Sequence, residues 1–201
     1  MRIPNLCFAA ATLAALFAGC ATRPLPKYER PLARAQFQTV RTTAYTHSES
    51  DHRQYGQSSA VGSQLQSGRV QSAAADWSRW PAGTIFRILE TGETYQVDDY
   101  GWALAGTNTI DLYKPSRSEM NRWGVRRVNI EVVQWGSPDR SLAILRPRAK
   151  YAHVRRMISQ IEERHAELAR SVPASATVFL AAAPGGNPAV PLTPFTSSPV
   201  R

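Results

Sequence analysis

Three aspartates stand beside β-rich runs: Asp76 in Ala74-Ala75-Asp76-Trp77, Asp99 in Val97-Asp98-Asp99-Tyr100-Gly101, and Asp111 in Thr109-Ile110-Asp111-Leu112-Tyr113. A carboxyl group next to an apolar run loses solvent, which favours its protonated form and suits it to general acid work. Other chemistries are poorly supplied. The two cysteines, Cys7 and Cys20, both lie in the first twenty residues, so neither a thiol nucleophile nor a disulfide framework is expected downstream. Gly-rich phosphate loops and G-x-S-x-G elbows are absent. The segment Tyr45-Thr46-His47-Ser48-Glu49-Ser50-Asp51-His52 gathers two histidines and two carboxylates and offers divalent-metal chemistry, but it lacks the HExxH helix spacing. It reads better as the polar lip of a groove, and neither metal nor cofactor is expected.

The elements that must position these acids are short. Runs at Val61 to Val70, Thr84 to Leu89, Thr94 to Val97, Trp102 to Ala105, Thr109 to Tyr113, Val128 to Trp135 and Ser141 to Leu145 have strand character. That many strands at close spacing predict a small barrel. Thr91-Gly92 is a hairpin turn between two of them. Pro115-Ser116-Arg117-Ser118-Glu119 carries a Ser-x-x-Glu capping box, with Trp123-Gly124 as the stop, and predicts a short inserted helix. A longer helix is expected over 149–170, where Tyr151, Val154, Ile158, Ile161, His165 and Leu168 recur at spacings of three and four. This stripe either lies on the barrel's flank or zips against a partner helix.

The surroundings of the acids resemble the bacterial three-aspartate (3D) domain, found in the catalytic barrel of membrane-bound lytic transglycosylase A and in muralytic stationary-phase proteins. The likeness covers about residues 42 to 137 and its pieces occur in the family's order. They are Thr43-Ala44-Tyr45, Ala60-Val61-Gly62 through Leu65 and Gly68, Ala75-Asp76 before Pro81-Ala82-Gly83-Thr84, Asp99-Tyr100-Gly101 with Ala103-Leu104-Ala105-Gly106, Ile110-Asp111-Leu112-Tyr113, and Asn121-Arg122-Trp123-Gly124-Val125-Arg126-Arg127-Val128. The resemblance implies a mainly β fold, a six-stranded double-psi β-barrel with the short inserted helix and a C-terminal α-helix. It also implies cleavage of the β-1,4 bond between N-acetylmuramic acid and N-acetylglucosamine of peptidoglycan, closing a 1,6-anhydro ring. Asp111 would be the general acid/base, with Asp99 and Asp76 beside it. Thr43, Tyr45, Gly101 and Gly106 are candidate groove residues, the glycines because sugar can approach bare backbone. Trp77, Trp80, Trp102 and Trp123 could stack on sugars, although tryptophan in a small barrel more often fills the core. A non-catalytic peptidoglycan-binding envelope lipoprotein is the alternative reading.

The expected address agrees with a wall substrate. Arg2 precedes an apolar stretch of fourteen residues, Leu6 to Gly19, too short to span a bilayer but suited to a secretory signal. Leu16-Phe17-Ala18-Gly19-Cys20 resembles the lipobox of bacterial lipoproteins, which implies lipid attachment at Cys20; an ordinary signal peptide cut near Ala18 or Ala21 is the alternative. Ala21 after the cysteine implies sorting to the periplasmic side of the outer membrane in a didermal host. The expected organisation is therefore a signal peptide over 1–19, a Pro-rich tether over 20–41, the barrel over 42–148, the helix over 149–170, and an Ala/Pro-rich disordered tail over 171–201. Of 24 Lys and Arg residues, 9 fall in 20–113 against 9 acidic residues, whereas 14 fall in 114–201 against 6. That basic second half suits an anionic wall polymer or lipid head groups, and nucleic acid is not an expected partner of an exported protein.

Overall fold

The computed structural model describes residues 23–50 and 52–171. The signal peptide, Cys20 and the 172–201 part of the tail lie outside the described residues. Two units divide the chain, residues 1–163 and 164–201.

The first unit is built on six strands: β1 (Phe37–Tyr45), β2 (Val70–Ala74), β3 (Ile85–Ile88), β4 (Thr94–Asp99), β5 (Thr109–Tyr113) and β6 (Arg126–Gln134). They close into a barrel in the order β1-β5-β2-β4-β3-β6. Two pairings, β1 with β5 and β2 with β4, are parallel, and the other four are antiparallel. Closure leaves no unpaired sheet edge. Alternation along each strand sends Val40, Ala73, Phe86, Ile88, Tyr95, Val97, Ile110, Leu112, Val128, Ile130 and Val132 into one core.

Local signals set several boundaries. Gly92 adopts φ +74° in the β3–β4 hairpin and donates its N–H to the Ile88 carbonyl at 2.8 Å. Helix α1 (Arg117–Trp123) starts where the Ser116 hydroxyl accepts the Glu119 N–H and stops at Gly124, φ +63°. It bridges β5 and β6, as the capping box predicts. Helix α2 (Pro138–Leu145) begins at a Ser137 cap with proline in its first turn.

Four expectations differ from the structure. The Val61 to Val70 run is a turn-rich loop as far as Arg69, reaching β2 only at Val70, with isolated bridges at Ser58–Gln64 and Ser67–Gln71, because Gly62 at φ +88° turns the chain where an extended strand would run straight. Trp102 to Ala105 contains a single 3-10 turn, Trp102–Leu104. Ser141 to Leu145 is the end of α2, its short apolar run being equally compatible with a helix. The tether's last residues, from Phe37 onward, already form β1, where Thr39, Val40, Thr42 and Thr43 supply the β-branched side chains that favour a pleated strand. Upstream, residues 23–35 carry no regular structure but are tied to the barrel through Glu29 N–H to Gly106 O at 2.8 Å and Asn108 N–H to the Glu29 carboxylate at 2.7 Å.

Helix α3 (Ala152–Ser171) begins in the first unit, where Val154, Met157 and Ile161 join the main core with Leu142 and Leu145 of α2. This stretch therefore lies on the barrel's flank. The described part of the second unit is helical, Arg164 to Ser171. No helix among the described residues is long and apolar enough to cross a membrane.

Candidate active site

Strand register brings two of the three aspartates together. Thr43 of β1 is the partner of Asp111 of β5, Asp111 is the partner of Ala74 of β2, and Ala74 is the partner of Asp99 of β4. Residues directly opposite in a sheet project from the same face, so Asp99, Ala74, Asp111 and Thr43 form one row across four neighbouring strands. Ile110 and Leu112 flank Asp111 and are fully buried in the barrel core, which leaves Asp111 on the outer face. The small Ala74 side chain keeps the space between the two acids open.

An irregularity decides which aspartate of the Asp98-Asp99 pair joins the row. The register passes from Ala73 opposite Val97 directly to Ala74 opposite Asp99, so Asp98 is the extra residue of a β-bulge. Asp98 accepts a hydrogen bond from Ser72 Oγ at 2.6 Å, and its Oδ1 has no hydrogen-bond partner among the described residues; burial pushes its carboxyl up to about 6.

Asp99, Ala74 and Asp111 of the row, though not Thr43, line a cavity of about 820 Å³, whose other walls include Glu49, His52, Tyr55 and Ser58 to Ala60, the turn Gly101 to Leu104, and residues of the stretch Pro147 to His153. Asp99 sits deep in it, 7% exposed. Its carboxylate accepts from Tyr100 N at 2.9 Å, Ala60 N at 3.1 Å and the Tyr45 hydroxyl at 3.3 Å. Burial raises its carboxyl most, the Asp98 charge adds to this, and the hydrogen bonds pull the other way, leaving it at about 7. Burial and the charges of Asp99, Asp98 and Asp111 hold the Tyr45 phenol well above its ordinary range, so it remains a donor. Asp111 is half-buried and accepts from Thr43 Oγ1 at 2.6 Å. The pair thus joins a buried acid, pushed up to about 7, to a more open carboxyl group whose orientation Thr43 fixes.

Among the remaining expected site residues, Tyr45 and Gly101 line the cavity. Gly101 has extended backbone, and a Cβ there would meet Leu104 at an ordinary 3.6 Å. Asp76 is not brought to the cavity. It is fully buried, accepting from Ser78 N at 2.8 Å, Ser78 Oγ at 2.6 Å and Gly106 N at 2.5 Å, with Arg79 Nε at 3.8 Å. These bonds fasten the turn after β2 to the loop before β5. Gly106 belongs to the same network, away from the cavity, where its φ of +83° favours glycine. Trp77, Trp80 and Trp123 are buried in the core, and only Trp102 of the four lines the cavity.

Glu49 and His52 do belong to the cavity lip, while His47 Nδ1 lies 2.9 Å from the Tyr113 hydroxyl. Among the described residues no group of three or more His, Cys, Asp or Glu side chains is arranged to hold a metal. Sequence reasoning missed Arg23, Tyr55, Arg148, Lys150, Tyr151 and His153, all of which line the cavity. Nothing local marks them, because they arrive from distant parts of the chain.

No family model and no curated protein matches this chain.

Proposed function

We propose that this chain is a 3D-domain lytic transglycosylase that cleaves the bond between N-acetylmuramic acid and N-acetylglucosamine in peptidoglycan, with Asp111 as general acid/base. The observation that carries the reading is the trio Asp99, Ala74 and Asp111 in one row of a cavity large enough for several sugar rings, with Thr43 next in the row holding the Asp111 carboxyl. Aromatic side chains Tyr55, Trp102 and Tyr151 line the same cavity and suit the apolar faces of sugars. The two acids are separated by two strand spacings, about 9–10 Å between Cα atoms. Ala74 between them leaves room for a glycosidic oxygen on one carboxyl group.

In this mechanism Asp111 gives its proton to the glycosidic oxygen as the bond to C1 of the muramyl residue breaks, and the leaving sugar departs with a free 4-hydroxyl. The carboxylate then takes the proton of the muramyl C6 hydroxyl while that oxygen bonds to C1. No water is consumed, and Asp111 ends as it began. Thr43 fixes the orientation of the Asp111 carboxyl, and Asp99, whose burial pushes it up to about 7, lies two strands away on the same face. Parallel pairing of β1 with β5 and of β2 with β4, inside an otherwise antiparallel ring, supports the double-psi topology within this reading. Export and a lipid anchor on Cys20, at the periplasmic face of an outer membrane, belong to the same proposal.

The test is digestion of purified sacculi by the wild-type protein and by Asp111→Asn, with products read by mass spectrometry. Anhydromuropeptides from wild type alone are expected. If neither protein releases them while both sediment with the sacculi, the chain is a wall-binding module and the enzymatic reading falls.

A further inference from the structure

Three cations line the cavity together with Glu49, Asp99 and Asp111: Arg23, Arg148 and Lys150. Were they present to neutralise those acids, they would pair with them. None of the three forms an ion pair with a described residue, the four pairs being Arg79–Asp76, Arg87–Glu131, Lys114–Glu93 and Arg146–Glu162. Each cation lies against an aromatic ring instead. The Arg23 guanidinium sits 3.6 Å from the centroid of Trp102, Arg148 is 5.9 Å from that of Tyr100, and Lys150 Nζ is 5.0 Å from that of Tyr151. A ring face holds a cation in place without consuming its N–H donors. The connection that carries two of them is itself fixed, since Arg155 Nη1 donates to the carbonyls of Ala149 and Lys150, each at 2.9 Å. Arg148 spends one long bond, 3.4 Å, on the Tyr100 hydroxyl and keeps the rest of its fork.

Resting on the glycan reading of the cavity, we propose that Arg148 and Lys150, with Arg23, recognise a carboxylate carried by the glycan, so that the site selects acidic over neutral strands. The carboxylates of Asp99 and Asp111 would repel an acidic ligand wherever they are ionised, and only cations held apart from them can offset that repulsion. An acidic group can belong to the sugar, as the free lactyl carboxylate of a muramyl residue, or to an attached peptide. Both present the same planar oxygen pair to a guanidinium fork.

Calorimetric titration of the full chain carrying Asp111→Asn, which blocks turnover, tests this. The probes are four tetrasaccharides: neutral chitotetraose, an alternating muramyl tetrasaccharide with free lactyl carboxylates, its lactyl amide, and the same glycan with acidic peptide stems. Binding of the acidic probes at least about tenfold tighter than the neutral ones is expected. Tighter binding of the free lactyl form alone assigns the sugar carboxylate, and of the stem-bearing form alone the peptide. Arg148→Gln and Lys150→Gln together should abolish the preference. Arg146→Gln removes a cation from the same connection that pairs with Glu162 outside the cavity, and should leave the preference intact. Equal affinity for acidic and amidated probes, no binding of any probe, or an equal effect of Arg146→Gln, overturns the inference. Failure here with anhydromuropeptides still released from sacculi leaves the enzymatic reading standing. A charge preference without such products removes the enzyme and keeps the recognition.

Discussion

Tyr45, Ala60 and Tyr100 all donate to the Asp99 carboxylate, yet burial outweighs them and brings the group from an ordinary 3.8 up to about 7. The direction has a consequence for stability. Between those two values the folded chain binds more protons than the unfolded one at this site, so unfolding becomes easier as pH rises from about 4 through 7. Asp99→Asn keeps an acceptor for the two backbone donors and removes the charge. The variant is expected to gain stability over wild type at pH 8, on the order of a few kcal/mol, and to gain little at pH 4. Melting curves at both pH values check this, and parallel curves for the two proteins would refute it. Thr43 acts on the other acid. Thr43→Val removes the 2.6 Å hydrogen bond to Asp111 Oδ1 while keeping the branched shape that β1 favours. A charge-assisted bond of this kind contributes about 1.5–3 kcal/mol, so kcat on a soluble muramyl oligosaccharide should fall by about tenfold or more with KM little changed. An unchanged kcat would show that the carboxyl does not need this partner.

Elements were legible in the sequence wherever a single residue forces a local geometry. Gly92 in the β3–β4 hairpin and the Ser116 cap with Gly124 at the ends of α1 are such cases, and both elements stand where the sequence puts them. Periodicity was weaker evidence. The apolar run ending α2 has no clear period over its few residues, and the Ser137-Pro138 start was the signal that would have identified it. The bulge at Asp98 has no sequence signature, because it arises from how β4 meets β2, and it alone determines which of two adjacent aspartates faces the cavity. On α3 the expected stripe includes Val154 and Ile161, while the fully buried Met157 between them was not in it. That position gives a test of the packing. Met157→Ala should cost about 2–5 kcal/mol by leaving a void against α2 and the barrel, measured as a lower midpoint in urea with an unchanged slope. A loss well below 1 kcal/mol would mean that α3 contributes little to holding the first unit together.

At the scale of the molecule, the site draws Glu49, Asp99 and Asp111 from the charge-balanced stretch 20–113 and two of its three cations, Arg148 and Lys150, from the basic stretch 114–201. Charge counting revealed the imbalance, but only folding brings Arg148 and Lys150 to the cavity that Asp99 and Asp111 also line. The third cation lies near the proposed site of lipid attachment. Arg23 lies on Trp102 at the cavity and is three residues from Cys20, a separation that an extended chain covers in at most about 11 Å. If Cys20 bears the proposed lipid, the cavity is therefore held within about a nanometre of the head groups, and strands lying farther from the membrane are out of reach. Lipidated protein in proteoliposomes should then digest added sacculi more slowly than Cys20→Ser protein in solution. Inserting ten Gly and Ser residues between Cys20 and Arg23 lengthens the reach by roughly 15–20 Å on average and should restore most of the rate. Equal rates for the anchored and soluble forms would mean that the segment around Arg23 releases from the barrel when the protein is on a membrane. In that event Arg23→Gln should leave glycan affinity unchanged in the anchored form, while Arg148→Gln still weakens it.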